Sequence, residues 1–327
     1  IVVGCAVPEG EQGLNVAKLI GFIAGLPESV AGATVNRFCG SSMQSVHQAA
    51  GAIRMGAGEA FLCAGVESMS RVPMMGFNPM PHPGLVKDYP QALISMGETA
   101  ENVARRYQVT RGDQEGFAVR SHAKATAAQA AGRLADEIVP MQVNGKTVAQ
   151  DGCIRPDTSA EGLSGLKPAF RADGTVTAGT SSPLTDGATA VLVCSAEYAQ
   201  RHGLTPLARV KSIAVAGCAP EIMGMGPVEA TKKALARAGI AAKDLDVVEL
   251  NEAFASQALA CMRELGIDEA KVNLDGGAIA LGHPLGATGA RITGKAAQLL
   301  QREGGRYALA TQCIGGGQGI ATVLEAV

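Results

Sequence analysis

Apolar runs that read as strands alternate along this chain with stretches spaced like amphipathic helices, and this alternation most restricts its fold. The segment SSMQSVHQAAGAIRMGAG (41–58) has helical spacing, and the run AFLCAGVES (60–68) follows it after a short loop. Strands that are apolar on both faces belong in covered sheets, where the helices between them provide the cover. The pattern therefore predicts an α/β fold with covered sheets.

The alternation is interrupted after Met69. The stretch MSRVPMMGFNPMPHPGLVKDYP (69–90) holds five prolines and four methionines, so we expect no regular structure in it. Long irregular stretches of this kind are usually functional covering loops. Helical spacing returns at TAENVARRY (99–107), which we expect Thr99 to lead, and at TRGDQEGFAVRSHAKATAAQAAG (110–132).

The last part of the chain repeats the strand–helix alternation, so the sequence divides into three units. A length of 327 residues is sufficient for two or three of them. We predict an N-terminal half from residues 1–69 with 181–204, an inserted loop domain over 70–180, and a C-terminal half over 205–327. In the first half, AGATVNRF (31–38) is expected to be a buried strand.

Charge and hydropathy exclude two classes of partner. The 28 Lys and Arg residues are scattered among 30 Asp and Glu residues, and the formal net charge of −2 leaves no basic footprint for nucleic acid. No apolar run reaches the length that crosses a bilayer, so we expect a soluble chain.

The eight cysteines include no C-x-x-C pair and no Cys/His cluster with zinc spacing, which argues against a metal site. Cys5, Cys63, Cys194 and Cys218 lie in apolar, strand-like contexts and are expected to be buried thiols. Reduced thiols imply a reducing intracellular compartment: the cytoplasm in a bacterium, the matrix or a peroxisome in a eukaryote.

The sequence begins at Ile1 in IVVGCAV, which reads as the middle of a strand with nothing before it as cover. We therefore expect a first strand and helix, with any targeting signal, to precede it in the natural protein.

Two residues lie on turns that favour chemistry. Cys39 follows an expected strand and precedes an expected helix, whose dipole would favour the thiolate, although a structural cysteine is the alternative. His283 lies in the glycine-rich segment NLDGGAIALGHPLGATGAR (273–291), and Pro284 after it predicts a stiff, narrow turn. Phosphate binding by this segment is the competing idea, but neither G-x-G-x-x-G nor the P-loop pattern matches.

Two further motifs lie at the ends of expected strands. Asn251 begins NEAF (251–254), where an apolar strand meets a helix; it is either a site residue or a helix cap. Cys313 begins CIGGGQG (313–319), whose successive backbone N–H groups are suited to an anion or a carbonyl oxygen.

Five motifs taken together resemble those of the thiolase family, in order and over essentially the whole chain. They are CGSSMQSV (39–46), AGVESMSR (64–71), NEAFA (251–255), GGAIALGHPLGATGAR (276–291) and CIGGGQG (313–319). The resemblance implies two similar halves in a layered α-β-α-β-α arrangement with an inserted loop domain. It also implies an acyltransferase that cleaves 3-ketoacyl-CoA reversibly, with coenzyme A as co-substrate and no permanently bound cofactor or metal.

By this resemblance, Cys39 looks like the nucleophile that takes up the acyl group, and His283 looks like the imidazole that activates it. Cys313 resembles the acid/base that handles the proton at the α-carbon and on the incoming CoA thiol. Asn251 is similar to the residue that orients a water in the first oxyanion hole, which it would share with His283. The N–H groups of Cys39 and Gly315 are the expected donors of the second.

Other positions bear on the substrate. Ser182 matches a family position that touches pantetheine, and Lys167 stands where the family commonly has an Arg near the nucleotide, a solvated surface lysine being the alternative. Ser95 precedes Met96, an expected acyl-pocket residue, where acetoacetyl-CoA thiolases often carry His. This substitution and a short covering loop (71–93) favour the degradative type that accepts longer chains in fatty-acid β-oxidation.

The resemblance also implies a homodimer or homotetramer, which in some degradative thiolases joins a fatty-oxidation complex. The alternatives are an acetoacetyl-CoA thiolase, a decarboxylating condensing enzyme and a non-catalytic lipid-binding protein. Condensing enzymes usually pair a Cys with two His, whereas Cys313 stands here in place of one His. A non-catalytic protein would be expected to lose Cys39, His283 or Cys313, and all three are present.

Overall fold

Two four-stranded mixed sheets form the framework of the computed structural model, which describes residues 1–327. The strands are β1 (Val2–Gly4), β2 (Ala33–Val35), β3 (Ala60–Ser68), β4 (Met141–Val143), β5 (Lys146–Val148), β6 (Asp186–Cys194), β7 (Arg209–Gly217), β8 (Val247–Leu250), β9 (Tyr307–Ile314) and β10 (Gln318–Glu325). The first sheet has the order β2-β1-β3-β6, with β6 antiparallel to β3. The second has the order β7-β10-β9-β8, in which only β8 and β9 are parallel.

Eleven α-helices accompany these sheets. They are α1 (Val16–Ile23), α2 (Ser41–Arg54), α3 (Pro83–Asp88), α4 (Met96–Arg106), α5 (Arg111–Ala130), α6 (Ala160–Ser164), α7 (Ala196–Arg201), α8 (Gly226–Ala238), α9 (Ala255–Leu265), α10 (Ala278–Leu281) and α11 (Leu285–Arg302). None of them is long and apolar enough to span a bilayer.

The helices and sheets form five layers. Helices α2 and α11 pack against each other between the two sheets, while α1 lies on the other side of the first sheet and α8 on the other side of the second. The side chains of β10 show that both faces of its sheet are covered. Ile320 and Leu324 belong to the buried cluster that includes α11, and Ala321 and Val323 belong to the buried cluster that includes α8. The predicted α/β fold with covered sheets is confirmed.

Four local expectations were wrong. The segment 31–38 gives only a short strand, β2, which is half-exposed because it pairs on one side alone. The proline-rich stretch 69–90 contains α3, since Pro83 occupies the first turn, where a helix needs no N–H donor. Helix α4 begins at Met96, capped by the Ser95 side chain, and not at Thr99. Cys194 and Cys218 are half-buried, whereas Cys5 and Cys63 are buried as expected, and all eight cysteines are free thiols.

The predicted three-part division has a counterpart in the sheets. The first sheet takes its strands from 2–68 and 186–194, and the second takes its strands from 209–325. Helices α3 to α6 and the β4-β5 hairpin lie in the segment between. The domain boundaries themselves stay predictions.

The contact between α2 and α11 depends on residues without side chains. A Cβ at Gly289 of α11 would overlap the main chain of Met43 in α2, and a Cβ at Gly65 of β3 would overlap Gly286 and Ala287. The Ser42 hydroxyl accepts the Ala290 N–H at 2.8 Å across the same contact. The first turn of α2 is therefore in direct contact with the second turn of α11.

Gly289→Ala is expected to destabilise the protein by about 1–3 kcal/mol, because an extra methyl group forces the central helices apart. The matched control is Gly51→Ala on α2, where a Cβ would meet nothing within 4 Å. That substitution should stabilise the protein by about 0.5–1 kcal/mol, as expected for an exposed helical glycine. Denaturant unfolding measures both, and a stability gain in Gly289→Ala would contradict the close packing.

Candidate active site

Cys39 lies in a tight turn immediately before α2. The turn is held by the Gly40 N–H on the Arg37 carbonyl at 2.9 Å and by the Phe38 N–H on the Asn36 side chain at 2.8 Å. Phe38 has φ of +44°, a conformation that bulky residues rarely adopt. The strained turn places the half-buried Cys39 thiol ahead of the helix N-terminus.

Burial dominates the acidity of the Cys39 thiol. It raises the pKa of the Cys39 thiol to about 11, although the N–H groups of Gly315 and of Cys39 itself face the sulfur and act in the opposite direction. The expectation that the helix dipole favours a thiolate is therefore wrong, because desolvation of the charged form outweighs the dipole. With a pKa of about 11, Cys39 is a neutral thiol near neutral pH.

Cys313 faces the same region from the second sheet. Cys313 is buried near the carboxyl end of β9. It belongs to an apolar cluster with Ala100, Val176 and Phe254, against which Met96 packs. Burial raises the pKa of the Cys313 thiol well above its usual range, and a negative charge on Cys39 raises it further. A Cβ on Gly40, the residue after Cys39, would overlap the Ile314 side chain, so the Cys39 turn lies against the segment that carries Cys313 and Gly315.

His283 lies on the turn between α10 and α11. Gly282 before it has φ of +97°, and the His283 N–H donates to the Thr185 hydroxyl at 3.1 Å. Its Nδ1 is 2.6 Å from the Thr288 hydroxyl, one turn into α11. Burial, with a smaller effect from Arg291, lowers the pKa of His283 to about 3, so the imidazole is neutral at physiological pH.

Asn251 connects the histidine to the second sheet. Its Nδ2 lies 3.4 Å from His283 Nε2 and 3.5 Å from Nδ1, and its N–H donates to the Thr311 carbonyl on β9 at 3.0 Å. Its buried Oδ1 has no hydrogen-bond partner in the protein. Helix α9 begins only at Ala255, with Phe254 in the capping position, so the alternative of a helix cap was wrong.

Two buried carboxylates, which the sequence analysis missed, hold the loops of the site. Glu67 of β3 accepts the N–H groups of Ala6 at 2.7 Å and of Gly286 at 2.9 Å, which ties the histidine segment to the first sheet. Glu252 accepts the Ser121 hydroxyl at 2.6 Å and the Asn273 amide at 2.7 Å. A charged residue inside an apolar run such as AFLCAGVES is a signal for such a role, since carboxylates are seldom buried without partners.

The structure does not gather all predicted residues at one point. Cys39 packs against the apolar cluster that includes Leu285, two residues beyond His283, but makes no hydrogen bond to the imidazole. Ser182 donates its N–H and its hydroxyl to the Ala253 carbonyl, in the NEAF segment, at 3.0 and 3.1 Å. Lys167 is exposed and has no polar partner in the chain, so both of its interpretations stay open.

Comparison with known proteins places this arrangement in context. The family model "Thiolase, N-terminal domain" matches residues 1–197, and "Thiolase, C-terminal domain" matches residues 204–326. A 3-ketoacyl-CoA thiolase of Bacillus subtilis is 50% identical in an alignment 338 residues long, which covers 99% of this chain and 86% of the relative. A 3-ketoacyl-CoA thiolase of Pseudoalteromonas translucida is 54% identical over 334 residues, covering 99% and 85%.

A solved structure agrees with the sequence relatives. The crystal structure of human mitochondrial 3-ketoacyl-CoA thiolase in complex with CoA superposes with a TM-score of 0.92 at 40% identity, covering 100% of this chain and 86% of that one. The predicted thiolase-like fold and the family resemblance are both confirmed.

The low pKa of His283 has a direct spectroscopic consequence. An imidazole with a pKa of about 3 stays neutral on both sides of the usual pKa of 6.5, so its NMR resonances should not shift between pH 5 and 8. His283→Asn assigns the resonances by difference. A midpoint near pH 6.5 for His283 would contradict the burial argument.

Proposed function

The chain belongs to the thiolase family, and from this membership we propose that it cleaves 3-ketoacyl-CoA by thiolysis to acetyl-CoA and a shortened acyl-CoA. The observation that carries the proposal is the contact between the Cys39 turn and the segment of Cys313 and Gly315, which lie near opposite ends of the chain. The CoA complex of the human structural relative supports coenzyme A as the co-substrate.

The first half-reaction breaks a carbon–carbon bond. His283 takes the proton of the Cys39 thiol as the sulfur attacks the 3-keto carbon, so the negative charge passes to the carbonyl oxygen, which becomes an oxyanion. The N–H groups of Cys39 and Gly315, which face this sulfur, are placed to donate to that oxyanion. As the oxyanion collapses, the bond between C2 and C3 breaks, and the acyl group stays on Cys39 as a thioester.

The leaving fragment is the enolate of acetyl-CoA. Cys313 protonates its carbon, a task suited to a thiol whose pKa lies well above the usual range, because such a thiol keeps its proton near neutral pH. The enolate oxygen is stabilised by His283 and by a water held on Asn251, whose Oδ1 is buried without a partner in the protein. Catalytic hydrogen bonds often tighten only when substrate binds, and we expect this for His283 and Cys39.

The second half-reaction restores the enzyme. The Cys313 thiolate takes the proton of the incoming CoA thiol, and the CoA sulfur attacks the thioester on Cys39. The Cys39 thiolate then leaves and recovers its proton from His283. Every proton that moves in the first half-reaction is thus accounted for in the second.

Contacts with CoA and with the acyl chain are part of the same proposal. The pantetheine would pass Ser182 beside the NEAF segment, and Lys167, exposed in the inserted segment, would meet the nucleotide. Met96 packs against the Cys313 cluster, and its sulfur lies 3.5 Å from where a Cβ on Gly315 would be, which is the expected place of an acyl-pocket wall. A homo-oligomer, joined in some settings to a fatty-oxidation complex, is proposed on family membership.

Substitution of the three reacting groups tests the mechanism. Cys39→Ala should abolish thiolysis, and His283→Asn should lower kcat by about 10²–10⁴-fold, the usual contribution of a general base. Cys313→Ala should lose deuterium exchange at the acetyl carbon and should exchange labelled CoA with acetyl-CoA more slowly, because Cys313 also takes the proton of the CoA thiol in the second half-reaction. Unchanged thiolysis in Cys39→Ala, or deuterium exchange that survives in Cys313→Ala, would refute the assignment.

Chain-length preference separates the degradative type from the acetoacetyl-CoA type. We expect a higher kcat/KM for a medium-chain 3-ketoacyl-CoA than for acetoacetyl-CoA, because Ser95 stands where the acetoacetyl type often carries His. Thiolysis of the two substrates, followed through loss of the 3-ketoacyl absorbance, gives the ratio. A preference for acetoacetyl-CoA would favour the biosynthetic alternative.

A further inference from the structure

Gln312 joins the turn of one catalytic cysteine to the strand of the other. It immediately precedes Cys313 on β9, its side chain is fully buried, and its Nε2 donates to the main-chain carbonyl of Cys39. The two residues are 273 positions apart in sequence. The sequence alone gives no sign of this role for Gln312, because a Gln before a Cys can occur in any strand.

The carbonyl of Cys39 depends on this side chain. Cys39 lies outside α2, and no backbone N–H donates to its carbonyl, although the neighbouring carbonyls of Arg37, Phe38 and Gly40 all accept one. The bond is part-buried, and a carbonyl group that is withdrawn from water without a donor is costly, so the amide of Gln312 supplies the donor that the backbone does not. The direction of the Cys39 carbonyl also fixes the main chain from which the thiol projects.

The same bond sets the distance between the two halves at the point of reaction. Cys39 stands at the start of a helix on the first sheet, and Cys313 belongs to the second sheet. Attack by one sulfur and proton transfer by the other must occur on neighbouring carbons of one substrate, so their separation has to be held closely. A second hydrogen bond connects the two halves: the Arg37 side chain donates to the Gln318 side chain of β10 at 2.8 Å. This bond involves the main chain of neither Cys39 nor Cys313.

We propose that Gln312 is a positioning residue, which locks the Cys39 turn onto the Cys313 strand and so holds the two sulfurs in register. The inference rests on the proposed function and deepens it. Gln312 touches no reacting atom; it acts through the Cys39 carbonyl. The Oε1 atom of Gln312 has no hydrogen-bond partner. The only hydrogen bond of this buried side chain is therefore the one that its Nε2 donates to the Cys39 carbonyl.

Gln312→Leu keeps the approximate volume and removes the donor. We expect kcat to fall by about 10- to 100-fold, as for a small misplacement of reacting groups, with KM changed by less than about twofold. The matched control is Gln114→Leu. Gln114 is equally buried, also has an unpartnered Oε1, and donates to the Thr175 hydroxyl at 3.0 Å, far along the chain from either cysteine.

A second variant distinguishes positioning from general stability. In Gln312→Glu, a protonated carboxyl group is able to donate to the Cys39 carbonyl, whereas an ionised one repels it. Burial raises the pKa of such a carboxyl group, so the ratio of variant to wild-type kcat should rise as the pH falls from about 8 to 6. The same ratio for Gln312→Leu should not change with pH.

The outcomes are separable. Loss of kcat in Gln312→Leu without a matching loss in Gln114→Leu, together with the rising ratio in Gln312→Glu, supports positioning. Equal losses in the two Leu variants, or a flat ratio in Gln312→Glu, overturns it, and the Glu variant decides alone if Gln312→Leu does not fold. Failure of the wild-type protein to cleave any 3-ketoacyl-CoA would instead refute the proposed function.

Discussion

The contact between α2 and α11 is the constraint on which the rest of the structure depends. Cys39 lies two residues before α2 and His283 lies two residues before α11, so the contact between the N-terminal parts of these helices also brings the Cys39 turn and the His283 segment close together. Small residues make this approach possible, and the Ala290 N–H donates a hydrogen bond to the Ser42 hydroxyl across it. Cys39 and His283 each precede a helix N-terminus, the end of a helix that favours negative charge.

The electrostatics of the site follow from the same burial. Enclosure raises the pKa of both thiols and lowers that of His283, so the resting site holds neutral groups. Neutral groups are stable inside a protein, and charge is needed only while substrate is present. The N–H groups that face Cys39 are fixed before the reaction begins, which spares the reorganisation that water would require.

Most of the framework was predictable because it is periodic. The apolar run 60–68 matches β3 to the residue, and the helical spacing of 41–58 gives the start of α2 but extends four residues beyond its end at Arg54. The motifs around Cys39, His283 and Cys313 identify the family. The burial of 31–38 was not predictable, since sequence does not say whether a strand lies at a sheet edge. The acidity of Cys39 was predicted in the wrong direction, because a helix dipole is visible in the sequence and desolvation is not.

Residues that act through the main chain were also out of reach of the sequence. Glu67 and Gln312 serve partners that are hundreds of positions away, and only the fold shows which carbonyl or N–H group they satisfy. Both link the two halves close to the site. The reacting groups carry recognisable motifs, whereas the groups that place them do not.

Everything proposed for this protein requires an acyl group to reside on one particular sulfur. The most direct measurement is mass spectrometry of peptides after brief incubation with acetyl-CoA and acid quenching. The account predicts one acetyl group, on the peptide that contains Cys39. Acetylation of another cysteine in its place, or turnover without any acetylated peptide, would contradict it.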